Sequence, residues 1–164
     1  MTTTYSRVMP SLPGSPKSHA ESNAQAHVDE IVAAHALTTL AQQSTDVDQI
    51  DCTVDMVSLL GELSWNAGDG SMALQDALQQ HCQDKPLSCE AFGRKPAWNE
   101  SWITTHYEIL LTTGGPACKL WCDPDDMEVR MYHQDWGTPW QQINLTDEEI
   151  EALQWFVGVL GVDA

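Results

Sequence analysis

The sequence predicts an α+β fold: N-terminal helices, a three- to four-stranded antiparallel meander, then a C-terminal helix. Three observations carry that expectation. Apolar residues recur at helical spacing over three segments between residues 27 and 84. From residue 87 the pattern changes to short alternating runs separated by Gly, Pro and Asp turns. Near the end, Thr146 and Glu149 form the Thr-x-x-Glu signature of a helix start. Helices followed by consecutive strands belong to the α+β class.

Residues 1–24 are rich in Pro, Ser, Thr and Asn and read as a flexible tail, leaving 25–164 as a single domain. Within it, residues 25–84 form an acidic helical part and 85–164 a sheet with its closing helix. From His27 to Gln43, Val28, Ile31, Val32, Ala36 and Leu40 recur at helical spacing. From about Asp48 to Leu63, Ile50, Val54, Val57 and Leu60 lie on one stripe, while Asp48, Asp51, Asp55 and Glu62 lie largely off it. Asp46 is placed to cap this helix, with Gln49 three residues on. Asn66, Gly68, Asp69 and Gly70 break the pattern. From Ser71 to about Asp84, Leu74, Ala77, Leu78 and His81 make a third stripe.

Leu87 to Gly93 alternates as a strand does, and Thr105 to Thr112 does so most clearly, with Tyr107, Ile109 and Leu111 facing one way. Gly114-Gly115-Pro116 is a turn signal, Ala117 to Cys122 a strand, Asp123-Pro124-Asp125-Asp126 a second turn and Glu128 to Gln134 a further strand. In the last helix Asp147, Glu148 and Glu149 suit the positive end of the helix dipole, and Ile150, Leu153, Val157 and Leu160 form the apolar stripe, widened by Trp155 and Phe156. Tyr5 is the one aromatic before residue 65 and eleven follow from Trp65 on. The core is therefore expected at the sheet and last helix, with the helices of residues 27–63 peripheral.

Charge bounds the function. Among 164 residues, 7 are Lys or Arg and 24 are Asp or Glu, a formal net charge of −17. Residues 18–84 hold eleven acids and no Lys or Arg, whereas residues 85–164 hold five bases and thirteen acids. Such a chain lacks the clustered bases that grip nucleic acid over a broad face. Yet 42% of its residues are hydrophobic, too many for a wholly disordered acidic chain. Carboxylates without cations repel one another, pair with the C-terminal part or face a partner. No run of about 20 apolar residues spans a membrane, and Met1–Ala20 lacks the apolar centre of a signal peptide. Five cysteines, an odd number, then read as reduced thiols, and the expected location is the cytoplasm.

Motifs for chemistry are weak. His106-Tyr107-Glu108 followed by Pro116-Ala117-Cys118 and Cys122 resembles the zinc deaminase pattern. The spacing departs from it, because three residues separate the cysteines and Pro116 does not adjoin Cys118. A zinc site from His106, His133, Cys118 and Cys122 meets a geometric obstacle: residues four apart on a strand lie about 13 Å apart, too far for one tetrahedral ion. Asp123, Asp125, Asp126 and Glu128 lack the central Gly and closing Glu of a calcium loop. Neither a nucleophile elbow nor a phosphate loop is present. No catalytic residue, cofactor or metal is therefore expected. The segment Tyr132–Trp140 reads as a rigid amphipathic corner: its tryptophans suit a binding hot spot, but the favoured expectation is that Trp136 and Trp140 fill the core and Asp135 accepts an indole N–H.

Tyr107-Glu108-Ile109-Leu110-Leu111, then Gly114-Gly115-Pro116-Ala117, then Gln134-Asp135-Trp136-Gly137-Thr138-Pro139-Trp140, then an acidic closing helix, resembles a family of small acidic proteins of phages, plasmids and integrated elements. The resemblance spans about residues 86–160. It implies no catalytic residues. It implies a mobile-element context, in which small acidic proteins block host defence, inhibitors of CRISPR and of restriction enzymes included. The expectation is a non-catalytic inhibitor that binds the basic surface of a host defence complex, CRISPR–Cas first, without direct contact to nucleic acid or membrane. Partner-facing candidates are Asp46, Asp48, Asp51, Asp55, Glu62 and Asp69, and secondly Asp123, Asp125, Asp126 and Glu128. Alternatives are an antirestriction DNA mimic, or a metal-binding or enzymatic protein using His106, Glu108, Cys118 and Cys122.

Overall fold

The structure, a computed structural model, describes residues 18–43, 52–65 and 70–162. Its elements run α1 (His19–Gln43), α2 (Val54–Glu62), α3 (Gly70–Asp84), β1 (Ser88–Arg94), β2 (Ile103–Thr112), β3 (Ala117–Asp123), β4 (Glu128–Gln134), β5 (Gln141–Gln142) and α4 (Asp147–Val159). The strands form one five-stranded sheet in the order of the chain, every neighbouring pair antiparallel. This is the expected α+β class, with a two-residue fifth strand added at the edge.

Local chemistry sets the ends. Ser18 Oγ accepts the Glu21 N–H at 3.1 Å, so α1 starts at His19 rather than at His27. Residues 18–24, expected in the tail, thus belong to the folded part, with Ala20 and Ala24 fully buried. The α2 cap is Thr53, whose hydroxyl accepts the Met56 N–H at 3.3 Å. Asp46, expected to cap this helix, lies outside the described residues. Thr146 caps α4, its hydroxyl accepting the Glu149 N–H while Glu149 accepts the Thr146 N–H at 2.6 Å.

The core corrects the expectation that the early helices are peripheral. Helix α1 packs against α2, α3 and α4 and against β3 and β4. Ala20, Ala24, Val28, Ile31, Ala33, Ala34, Leu37 and Ala41 are all buried in it. Small alanines let neighbouring backbones approach closely, which is how one helix serves five neighbouring elements. The helical layer covers one sheet face, built from Ile109, Leu111, Cys118, Leu120, Cys122, Val129 and Met131. On the opposite face His106, Glu108, Lys119, Trp121 and Arg130 are half-buried.

Helix α2 presents the face opposite to the expected one. Met56 and Leu59 are buried, whereas Val54 is 84% and Val57 59% exposed. Both stripes of this helix are aliphatic, so hydropathy alone does not choose between them. Met56 and Leu59 instead join the core with α1, and the two valines are left beside Asp55 and Glu62.

Candidate functional site

Helices α1–α3 carry most of the acidic stretch. Asp46, Asp48, Asp51 and Asp69 lie outside the described residues. Asp55 and Glu62 are seven residues apart on α2, two turns on one face, and both are exposed. With Glu30 of α1, Ser58 and Leu59 they line a shallow cleft of about 140 Å³.

Glu30 was not singled out in the sequence and is the pivot of this region. Its Oε1 lies 2.7 Å from His81 Nε2, and its Oε2 accepts from Lys85 Nζ. Burial works to raise its pKa, but the hydrogen bonds from Lys85 and His81 outweigh it and hold the carboxyl below the usual range. Glu30, Glu62 and His81 bring potential ligand atoms within 4.8 Å of one another. Both Glu30 oxygens are already engaged, however, and the Lys85 ammonium supplies the positive charge the carboxylates call for. Beside them His27 has both ring nitrogens buried without a partner. Burial first, then Lys85, depresses its pKa against the pull of Glu30. The one sequence signal for this cluster is that Lys85 is the first base after the acidic stretch.

Among the described residues 18–84, Glu30 is the one carboxylate in an ion pair with Lys or Arg. Asp29, Asp55, Glu62, Asp76 and Asp84 are exposed, and the apolar side chains of Val54, Val57 and Met72 are exposed among them. The surface is thus anionic and partly apolar.

The second acidic candidate is the β3–β4 turn. Asp123 Oδ1 accepts the Asp125 N–H at 2.9 Å, an Asx turn, and Asp125 and Asp126 face solvent. Glu128 is neutralised by Arg130 at 2.6 Å. This turn offers fewer free charges than the helices.

The residues of the alternative metal or enzymatic reading are not brought together. His106 and Glu108 lie on the open sheet face, where His106 stacks on Phe92 at 4.9 Å and Glu108 binds Lys119 at 2.7 Å. Cys118 and Cys122 are buried on the opposite face. Burial pushes their thiols up to about 12 and about 11 respectively, so neither presents a ready thiolate nucleophile at neutral pH. His133, level with Cys118 across β3 and β4, is 3% exposed, and neither ring nitrogen has a partner.

The two turn motifs of the resemblance, about twenty residues apart in the chain, meet in space. Thr113, Gly114, Gly115, Ala117, Gln134, Asp135, Trp136 and Gly137 line a cleft of about 380 Å³. Trp136 is 80% exposed, which overturns the expectation that it fills the core. Its indole lies against Gly115, where a Cβ would stand 2.1 Å from Nε1. Gly115 also has φ +75°, so glycine is required there twice over. Among the described residues no indole N–H donates to Asp135. Its carbonyl instead takes the Thr138 N–H at 3.1 Å and the Thr138 hydroxyl at 2.9 Å. Trp140 is half-buried under Lys119, whose Nζ is 4.7 Å from the ring centroid.

Comparison of the chain with protein-family models, with curated proteins and with solved structures finds no match.

Proposed function

We propose that the chain is a non-catalytic binding protein of a phage or other mobile element that docks on the Lys- and Arg-lined nucleic-acid channel of a host defence complex and inhibits it, with CRISPR–Cas the first target class. The observation that carries this reading is the uncompensated charge of α1–α3. One carboxylate there, Glu30, is paired with a base among the described residues, and exposed valines lie between the rest. Carboxylates steer the encounter with a basic channel, and the apolar side chains then lose water on contact. An antirestriction DNA mimic would use the same surface on a different enzyme.

The test is competition. Purified CRISPR effector complexes and a restriction enzyme are each mixed with the protein, and target-DNA binding is followed as salt rises. Inhibition of one of them that weakens with salt, and that falls at least tenfold in the Asp55→Lys/Glu62→Lys/Asp76→Lys variant, supports the reading. Absence of inhibition across both classes, or inhibition untouched by the three charge reversals, overturns it.

A further inference from the structure

The sheet contains the same three-part arrangement twice. Lys119 lies over the Trp140 ring at 4.7 Å and binds Glu108 at 2.7 Å. Arg130 lies over the Trp121 ring, also at 4.7 Å, and binds Glu128 at 2.6 Å. In each, a cation sits between an indole face and a carboxylate, so that one group supplies the quadrupole and the other the charge. Both assemblies are complete within the chain.

A third indole and carboxylate, Trp136 and Asp135, line the 380 Å³ cleft, and no Lys or Arg lines it with them. The cation–ring pairs found among the described residues are the two already named. Gly115 lies against the Nε1 end of the indole, and Trp136 is otherwise exposed to solvent. Two bonds from Thr138 to the Asp135 carbonyl, and a 2.5 Å bond from Gln134 Nε2 to the Thr138 carbonyl, brace the loop. A braced backbone carrying an exposed indole and a carboxylate lowers the ordering cost of the loop on binding.

We propose that this cleft is a receptor for one arginine side chain of the basic partner, which completes the third indole–cation–carboxylate set in trans. Arginine suits it better than lysine, because a planar guanidinium stacks on the indole while its N–H fork reaches a carboxylate. The occupant follows from charge: a protein of net charge −17 that docks on a basic surface meets the cationic side chains of that surface, arginine among them. This inference rests on the function proposed above and adds a defined contact to it, on the loops after β2 and β4 rather than at Asp55 and Glu62 of α2.

The experiment follows the indole N–H resonances of the seven tryptophans and the backbone resonances of Asp55 and Glu62 in the full chain. The probes are an end-blocked Gly-Arg-Gly peptide, its citrulline and lysine counterparts, and hexa-arginine, all at constant ionic strength. The Trp136 indole is expected to shift with the arginine peptide, less with lysine and not with citrulline. Asp135→Asn and Trp136→Leu are each expected to weaken that response about two- to fivefold, the size of an exposed cation–ring or ion-pair contact. Trp136 is exposed and Asp135 half-buried, and the dispersion of the remaining resonances checks that each variant keeps the fold. A Trp136 indole unmoved by arginine, or moved equally by citrulline, overturns the arginine receptor. If hexa-arginine then still shifts Asp55 and Glu62, the acidic docking surface stands without it. If Trp136 responds and Asp55 and Glu62 do not, the receptor stands and the acidic helices are not the docking face.

Discussion

Two residues whose chemical neighbours lie far away in sequence decide local stability. Gly115 combines a positive φ with contact to Trp136. Gly115→Ala is expected to cost about 1–2 kcal/mol, from left-handed strain and from displacement of the indole. Urea unfolding followed by tryptophan fluorescence measures it. In the Trp136→Ala background the same change should cost about half as much, because only the backbone strain remains. An equal cost in both backgrounds would remove the steric part of the argument. Lys85 binds Glu30 from a nearly buried position. Lys85→Met leaves that carboxylate with His81 as its partner and is expected to cost about 1–3 kcal/mol. Lys85→Met with Glu30→Gln should recover most of the loss, since the isolated charge is then gone. Neither feature was legible beforehand. Lys85 follows Glu30 by 55 residues, and Gly115 precedes Trp136 by 21, separations at which no local pattern connects them.

At the scale of elements, legibility followed locality. The span of β4 matched its expected bounds and β3 came within one residue, because alternation and flanking turns are read within ten residues. The centrality of α1 was not read, because alanine adds little to an apolar stripe although its small size is what permits close packing. Its start was available: Ser18 and Glu21 have the same Ser/Thr-x-x-Glu spacing that marked α4. The face of α2 was misassigned because Val54 and Val57 match Met56 and Leu59 in hydropathy. This yields an expectation at the same scale. Val54→Ser with Val57→Ser is expected to change stability by less than about 0.5 kcal/mol, whereas Leu59→Ala should cost about 2–4 kcal/mol. Thermal unfolding of the two variants compares them directly, and a large loss in the serine variant would contradict the exposed valine face. The caps are expected to be smaller: Thr146→Ala should cost about 1 kcal/mol.

For the whole molecule, acidity and buried histidine together set the response to pH. His27 and His133 have no partners for their ring nitrogens, and burial lowers both pKa values below 6.5. Lys85 assists and Glu30 opposes at His27, while Glu21 and Asp135 oppose at His133. The unfolded chain takes up these protons near pH 6.5 and the folded chain only at lower pH. Stability is therefore full above about 6.5 and falls as pH drops below it, levelling off once the folded-state values are passed. Glu30 adds a second loss in the same direction. Its carboxyl is depressed in the fold, so its contribution is present above the ordinary value of 4.5 and lost as pH falls below that. Any loss of negative charge from the acidic surface works the other way, by relieving self-repulsion. Between pH 6.5 and 5.5, above the range in which the Glu30 contribution is lost, the two buried histidines set the sign. Midpoints of urea unfolding are expected to fall across that window. In His133→Met, which replaces an unsatisfied buried ring by an apolar side chain, the fall should be shallower and the plateau at pH 8 no lower. Added salt at pH 8 should raise the midpoint, since screening weakens repulsion among α1–α3 more than it weakens the half-buried Lys85–Glu30 pair. A midpoint that rises from pH 6.5 to 5.5 would show instead that carboxylate repulsion, not histidine burial, governs the molecule near neutrality.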